Sequence, residues 1–222
     1  LPMNILINNI EYIDRLTLTT NQFFTMTDQS DYFPRSSMPR IKDLERVFGF
    51  IAENYKKAFV LTVAASLSGT HHLINKMLKE NQNYNFDFRL IDTMRNSGAQ
   101  GLIVKKAVEL VEPESSIDEI ENKIKSTLLN SHIFVSVNDF TYMVRGGRVS
   151  PLKGKLAKVL NLKPIITLDD EGKGASFANA FSRKQNLNKM IAIVKKTLKN
   201  EVIGSEEHTS ELQSRGLISY AV

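Results

Sequence analysis

The sequence predicts an α/β protein, and three observations carry that expectation. AFVLTVAA (58–65) is an uninterrupted apolar, β-branched run, the pattern of a strand buried on both faces in a parallel sheet. FDFRLID (86–92) is a second run of the same kind, separated from the first by one helical pattern, HHLINKMLKEN. Strand, helix, strand, helix is the order that builds a parallel sheet through right-handed crossovers. From His132 onward the texture changes to shorter strands and helices. A boundary near Asn130 is therefore expected, with a parallel-sheet domain over 1–130 and a smaller α+β domain over 131–203.

The elements follow in order. Residues 4–9 read as a strand that Ile13 and Asp14 extend through a turn, and Thr19 or Thr20 caps a short helix carrying Phe23, Phe24 and Met26. DYFPRSSMP (31–39), with two prolines and two serines, reads as loop. Between Lys42 and Tyr55, Leu44, Val47, Phe48, Phe50 and Ile51 form a helical stripe. In the helix that follows SLSGT (66–70), Leu73, Ile74 and Leu78 face inward. After the second buried strand comes a loop, TMRNSGAQG, then helices over 101–112 and 115–130. IFVSVND (133–139) is a strand, FTYMVRGGRVSP a short helix broken by two glycines, and LKGKLAKVLN (152–161) another helix. Residues 163–181 read as a β-hairpin turned at Asp-Glu-Gly, and 183–200 as a basic amphipathic helix.

Both ends carry signals of their own. The chain opens on Leu1 with a strand pattern starting almost at once, so further residues upstream are expected. GSEEHTSELQSRGLISYAV (204–222) has no amphipathic period and resembles a translated sequencing-library adapter. It is expected to be foreign to the natural protein and is set aside from functional reasoning.

Composition narrows the function classes. With 42% hydrophobic, 24% charged and 8% aromatic residues the chain is neither collagen-like nor compositionally disordered. It has no cysteine, which removes disulfides, thiolate metal sites and thiol nucleophiles. No apolar run approaches the roughly 20 residues that span a bilayer, and LPMNILINN lacks the features of a signal peptide, so a cytoplasmic location is expected. The net charge of +5 is spread along the chain, and the aromatics are not interleaved with arginine, so no nucleic-acid partner is expected.

Two motifs could hold an anion. SLSGT sits where a strand meets a helix, and ligands of open α/β sheets collect at such strand ends. Gly69 lets the backbone approach closely, the helix start offers free N–H groups, and Ser68 and Thr70 add hydroxyls. The same residues also suit a plain helix cap, and both readings stay open. In RGGR, Arg145 and Arg148 present two guanidinium forks around a flexible turn, or the glycines simply stop a helix. Ser36 and Ser37 in SSMP add hydroxyls that are weak evidence alone. His71 and His72 are adjacent on a helix and point to different faces, so no metal is expected. Asp169, Asp170 and Glu171 read as a solvated hairpin tip. No phosphate loop, complete GxGxxG or GxSxG elbow is present, so ATP, dinucleotides and Ser-His-Asp catalysis have no motif behind them.

In combination these segments resemble the DegV family, the bacterial fatty-acid-binding proteins also called FakB. FPRSSMP stands in place of the family's P-x-TSQP loop, AASLSGT in place of SSxLSGT, and VNDFTYMVRGGRVS in place of L-x-YLxRGGRI. LNLKPIITLDDEGK is similar to LxIKPILxLxDG, and TMRNSGAQG to a stretch ending in GQG. The resemblance covers nearly all of residues 1–203. Met38 stands where the family has Gln, and Ala65 where it has a hydroxyl residue.

The resemblance implies a Rossmann-like first domain, a smaller second domain, and one long-chain fatty acid enclosed between them. It implies a carboxylate held by hydroxyls, carried over to Ser36, Ser37 and Ser68, with Gly69 and Thr70 shaping the turn and Arg145 and Arg148 near the same end. Arg183 falls where the family has a basic residue suspected of touching a partner kinase. The protein would not itself be an enzyme and would need no cofactor. It would present the acid to a separate ATP-dependent fatty acid kinase that makes an acyl-phosphate for phospholipid synthesis, with transient contact at a membrane surface permitted by the basic balance. The alternative is an enzyme or binding protein for a small phosphorylated metabolite, using the same anion-holding residues.

Overall fold

Asn8 and Asn9 take left-handed backbone, with φ of 52° and 65°, the pair of positive angles that lets a two-residue turn follow the twist of its flanking strands. They close a hairpin of β1 (Asn4–Ile7) and β2 (Ile10–Ile13), paired from Asn4 with Ile13 to Ile7 with Ile10. The single strand expected over 4–9 is thus two strands, because asparagine tolerates this conformation where most residues do not. The computed structural model describes residues 2–28, 33–80, 84, 86–111, 115–137, 141–149, 162–197 and 217–221.

In α1 (Thr20–Asp28) the expected cap is present as a capping box. The Gln22 N–H donates to Thr19 Oγ1 at 3.3 Å, and the Thr19 N–H donates to Gln22 Oε1 at 2.9 Å. Residues 35–37, expected as loop, form β3 (Arg35–Ser37), antiparallel to β1 with Ser36 opposite Ile5. Strand pairing uses main-chain groups, so the open side of β1 recruits a polar segment that propensity alone leaves irregular.

α2 (Ile41–Asn54) buries Leu44 and Phe48 but leaves Phe50 57% exposed, off the stripe expected for it. β4 (Lys57–Thr62), α3 (Thr70–Glu80) and β5 (Asp87–Asp92) follow as expected. The Asp87 N–H donates to Lys56 O and the Thr93 N–H to Thr62 O across the same sequence interval, so β4 and β5 run parallel. The two strands are half-buried for most of their length. With one partner strand each among the described residues, they do not receive cover on every side. Leu44, Phe48, Ile74, Met77, Leu78 and Phe86 form the core that α2 and α3 build around the first part of this strand pair.

α4 (Ser97–Leu110) begins four residues before the expected position, inside the segment read as loop, because Gly98 and Ala99 are small enough to be buried in its first turn. α5 (Ile117–Leu129) opens on a second capping box, Ser116 with Glu119. β6 (Ile133–Val137) has α4 on one face, through Ile133 and Val135 with Ala99 and Leu102. On its other face Phe134 meets Ile165 and Met190. A strand covered on both faces reads as a continuous apolar run, which is how IFVSV stands in the sequence. α6 (Thr141–Arg145), β7 (Ile165–Leu168), β8 (Gly174–Ala178) and α7 (Arg183–Thr197) complete the expected succession. The helix expected over 152–161 lies outside the described residues.

β9 (Leu217–Ala221) runs antiparallel to β6, giving a four-stranded sheet of order β8-β7-β6-β9. Main-chain pairing is blind to side-chain identity, so this strand bears on packing and not on the segment's origin.

The chain is of the mixed α/β class that the sequence predicts. By packing it divides into two compact units, Leu1–Val60 with Ser68–Leu90, and Leu61–Leu67 with Ile91–Val222. That division differs from the boundary expected near Asn130, since β4 and β5 each contribute residues to both units. Among the described residues no helix is long and apolar enough to cross a membrane.

Candidate functional site

In the first unit, two hydroxyl-bearing segments adjoin. Ser68 Oγ and Thr70 Oγ1 lie 2.9 Å apart, and the Thr70 N–H donates to Ser68 Oγ at 3.3 Å. α3 begins at Thr70, with the Leu73 N–H bonded to Gly69 O. The turn therefore does cap the helix, and it also keeps two hydroxyls together at a helix start that has no acidic residue in its first turn. A hydroxyl has one proton and two lone pairs, so this pair retains capacity for an added acceptor.

Gly69 lies against a neighbour: a Cβ built there would lie 2.7 Å from Met38 Sδ, so a larger residue would need that side chain to move. That contact sets SSMP beside LSGT, as two segments serving one headgroup would need. Alternation along β3 sends Ser36 and Ser37 to opposite faces, so one of them, not both, can face a given ligand. Ser37 Oγ donates to Met38 O at 3.4 Å.

The second unit carries a cleft of about 430 Å³ lined by Ser66, Leu67, Gly146, Gly147, Arg148, Lys173 and Gly174. Its glycine wall is the end of α6. The Arg148 N–H donates to Met143 O and the Gly147 N–H to Val144 O, the paired bonds of a Schellman motif, with Gly147 at φ 77°. The helix-stop reading of RGGR holds, and the motif places Arg148 where its Nη2 donates to Leu67 O at 3.3 Å while Nη1 donates to Gly146 O. Arg145 closes α6 as an exposed residue.

The opposite wall is the β7–β8 turn. Asp169 Oδ1 accepts from the Glu171 and Lys173 N–H groups, both at 2.9 Å, so this carboxylate organises the tip instead of being merely solvated. Lys173 Nζ also pairs with the Glu171 carboxylate, which raises the lysine pKa. Gly172, at φ 73°, presses on the strand ends: a Cβ there would lie 2.9 Å from Ala64 Cβ and 3.1 Å from Met94 Cα. Ser66 Oγ donates to Gly172 O at 2.5 Å.

Beneath the turn lies Arg95, only 5% exposed. Its Nε donates to Ser131 O at 2.7 Å, and its Nη1 donates to Met94 O at 2.9 Å and to Asp169 O at 3.4 Å. Burial lowers its pKa, opposed by Asp170 and Asp169; an arginine nevertheless stays charged. The His132 imidazole is pushed toward its neutral form by desolvation first and by Arg95 second, against Asp170. Asp92 ties the strand ends together, its carboxylate accepting from the Ala65 N–H at 3.2 Å and the Met94 N–H at 2.8 Å.

Ser66, Arg95, Lys173 and Gly172 were not singled out by motif, and Met38 was noted only for standing where the family has Gln. Ser66 and Gly172 did lie inside motifs already recognised, SLSGT and the Asp-Glu-Gly turn. The contacts of Arg95 and Met38 have no local signal. His71 and His72 stack edge to face with ring centres 5.9 Å apart. Among the described residues no group of three or more His, Asp or Glu side chains could hold a metal. Arg183 is the exposed first residue of α7.

Comparison with known proteins bears on the family and the fold. The profile of the DegV family, described as an uncharacterised protein family, matches residues 1–206. A DegV domain-containing protein of Clostridium acetobutylicum is 29% identical over 212 residues, 94% of this chain and 71% of the relative. The crystal structure of a fatty acid binding DegV family protein from Streptococcus agalactiae superposes with a TM-score of 0.82 at 28% identity, covering 91% of this chain and 71% of that one. A fatty acid kinase B3 protein of Streptococcus pneumoniae, loaded with linoleic acid, shares the fold at TM-score 0.75 and 21% identity, over 88% of this chain and 69% of that one. On the extent of the profile match, from the hairpin of β1 and β2 through the end of α7, the chain belongs to the DegV family.

Proposed function

We propose that this protein binds one long-chain fatty acid and presents its carboxylate to a partner fatty acid kinase. It acts as a carrier and leaves the chemistry to the kinase. The observation that carries the reading is the likeness to the Streptococcus agalactiae fatty acid binding protein, at TM-score 0.82 and 28% identity. The paired hydroxyls at Ser68 and Thr70, beside the SSMP segment, support it. In this reading Ser68, Thr70 and one of Ser36 and Ser37 orient the carboxylate and Gly69 admits it to the backbone, while Arg145 and Arg148, on the second unit, attract the anion through their charge. The acyl chain contributes most of the affinity, at roughly 0.8 kcal/mol per buried CH₂. Arg183, exposed at the start of α7, is the proposed kinase contact, and the carrier works in the cytoplasm with membrane contact only in passing.

Native mass spectrometry before and after denaturation tests the carrier role. The expected result is a released long-chain acid and, with added oleate, one equivalent bound. A protein that releases none and takes up none overturns it. The kinase role is tested by acyl-phosphate formation from ATP and the loaded carrier when a fatty acid kinase is added, and Arg183→Glu is expected to reduce it without changing oleate affinity.

A second reading rests on the cleft with Arg148, Lys173 and Ser66, which suits a small phosphorylated ligand. Thermal protection by a sugar phosphate and not by oleate favours that one.

A further inference from the structure

Seven methionines occur in the chain, and Met38 combines two properties. It is 43% exposed, whereas Met77 and Met190 are buried. Its sulfur also rests on the backbone of the hydroxyl turn, where a Cβ at Gly69 would come within 2.7 Å of Sδ, 3.7 Å of Cε and 3.8 Å of Cγ. Met3, the other strongly exposed methionine at 49%, precedes β1.

We infer that Met38 is an oxidation site that regulates ligand binding at this turn; the inference rests on the carrier reading. A thioether is soft and apolar, so one in contact with Gly69 can hold SSMP against LSGT without competing for the hydroxyls of Ser68 and Thr70. Peroxide changes that. A lone pair on Sδ takes one oxygen of hydrogen peroxide as the O–O bond breaks. The sulfur is oxidised by two electrons, the peroxide is reduced, and the departing hydroxide leaves as water with the second proton. The sulfoxide is polar, bulkier at the atom already in contact, and a strong acceptor.

Two consequences follow from the contact. Peroxide reaches the sulfur from its exposed side, and the larger, polar sulfoxide packs less well on Gly69 than the thioether does, which loosens SSMP from LSGT. A sulfoxide oxygen that stays near the turn accepts hydrogen bonds from the same hydroxyls that a carboxylate would use. Either route weakens an anion's hold. A methionine sulfoxide reductase reverses the change.

The test uses the full chain with Met3→Leu as background, treated with hydrogen peroxide and mapped by peptide mass. The expected order is Met38 first, with Met77 and Met190 last. Oxidation at Met38 is expected to weaken oleate binding about tenfold and to speed amide exchange at Gly69 and Thr70, with the reductase restoring both. Met38→Leu, compared with its own untreated affinity, is expected not to respond to peroxide. Met38 oxidised with unchanged exchange at 69–70, or an equal peroxide response in Met38→Leu, overturns the inference. Failure of the untreated background protein to bind oleate overturns the carrier reading instead, and the exchange measurement still decides whether Met38 controls the turn.

Discussion

In the first unit, Ser68 and Thr70 hold their hydroxyls 2.9 Å apart, and their bonds involve no charged side chain. In the second unit, the cleft beside Gly146 and Gly147 is edged by Arg148 and Lys173, and a buried Arg95 binds the main chain of the adjoining turn at Asp169. Neutral donors act through direction and reach only what touches them, whereas cations act over a Debye length of about 8 Å at physiological salt. The first kind of group sorts ligands by shape and the second gathers anions from solution. The glycines of the two regions differ in the same sense. Gly172 meets Cβ and backbone atoms, while Gly69 meets the far end of a flexible side chain.

That difference in stiffness gives the largest expected effect. Gly172→Ala combines a left-handed φ with a collision against Ala64 and Met94, and is expected to cost about 3 kcal/mol. Gly69→Ala needs only the Met38 side chain to give way and should cost about 1 kcal/mol. Urea unfolding of the two variants checks this, and equal losses would remove the distinction between a rigid and a yielding region.

The next effect separates direction from charge. Ser68→Ala is expected to lower oleate affinity about tenfold at any salt concentration, the loss of one bond to a charged group. Arg148→Met is expected to lower it mainly at low salt and to flatten its salt dependence. Binding isotherms at two ionic strengths distinguish them, and a salt-sensitive loss in Ser68→Ala would contradict the assignment.

The smallest effect belongs to His132. Its folded-state pKa lies below the ordinary value of 6.5, so the folded protein resists protonation more than the unfolded chain does. Stability is therefore complete at pH above 6.5 and declines as pH falls through that value toward the lower folded pKa. His132→Asn should flatten the stability profile between pH 7.5 and 5.5, measured by denaturant midpoints, while leaving the hydroxyl turn unaffected.

How much was legible in the sequence depends on how local the signal is. IFVSVND announced a strand, and Thr19 or Thr20 a helix cap, because both patterns are written within a few residues. β3 was not legible, since an edge strand is recruited by the main chain of its neighbour and leaves no side-chain period. Ser68, Gly69 and Thr70 were legible as a hydroxyl-bearing turn at a helix start, yet their contact with Met38 was not, because it joins segments some 30 residues apart. Arg95 reads in sequence as one more surface cation. Only the convergence of the Ser131, Met94 and Asp169 carbonyls explains its burial.

The neighbours of β6 were brought to it over unequal distances. β7 and β8 form a hairpin closed by a five-residue turn, whereas the pairing of Val137 with Leu217 closes a loop of roughly 80 residues. Loop-closure entropy makes the β6–β9 seam a later event of assembly in this sheet than the β7–β8 hairpin. Under force or mild denaturant the seam is where the sheet would unzip first, exposing one side of β6 as a template for another chain's strand.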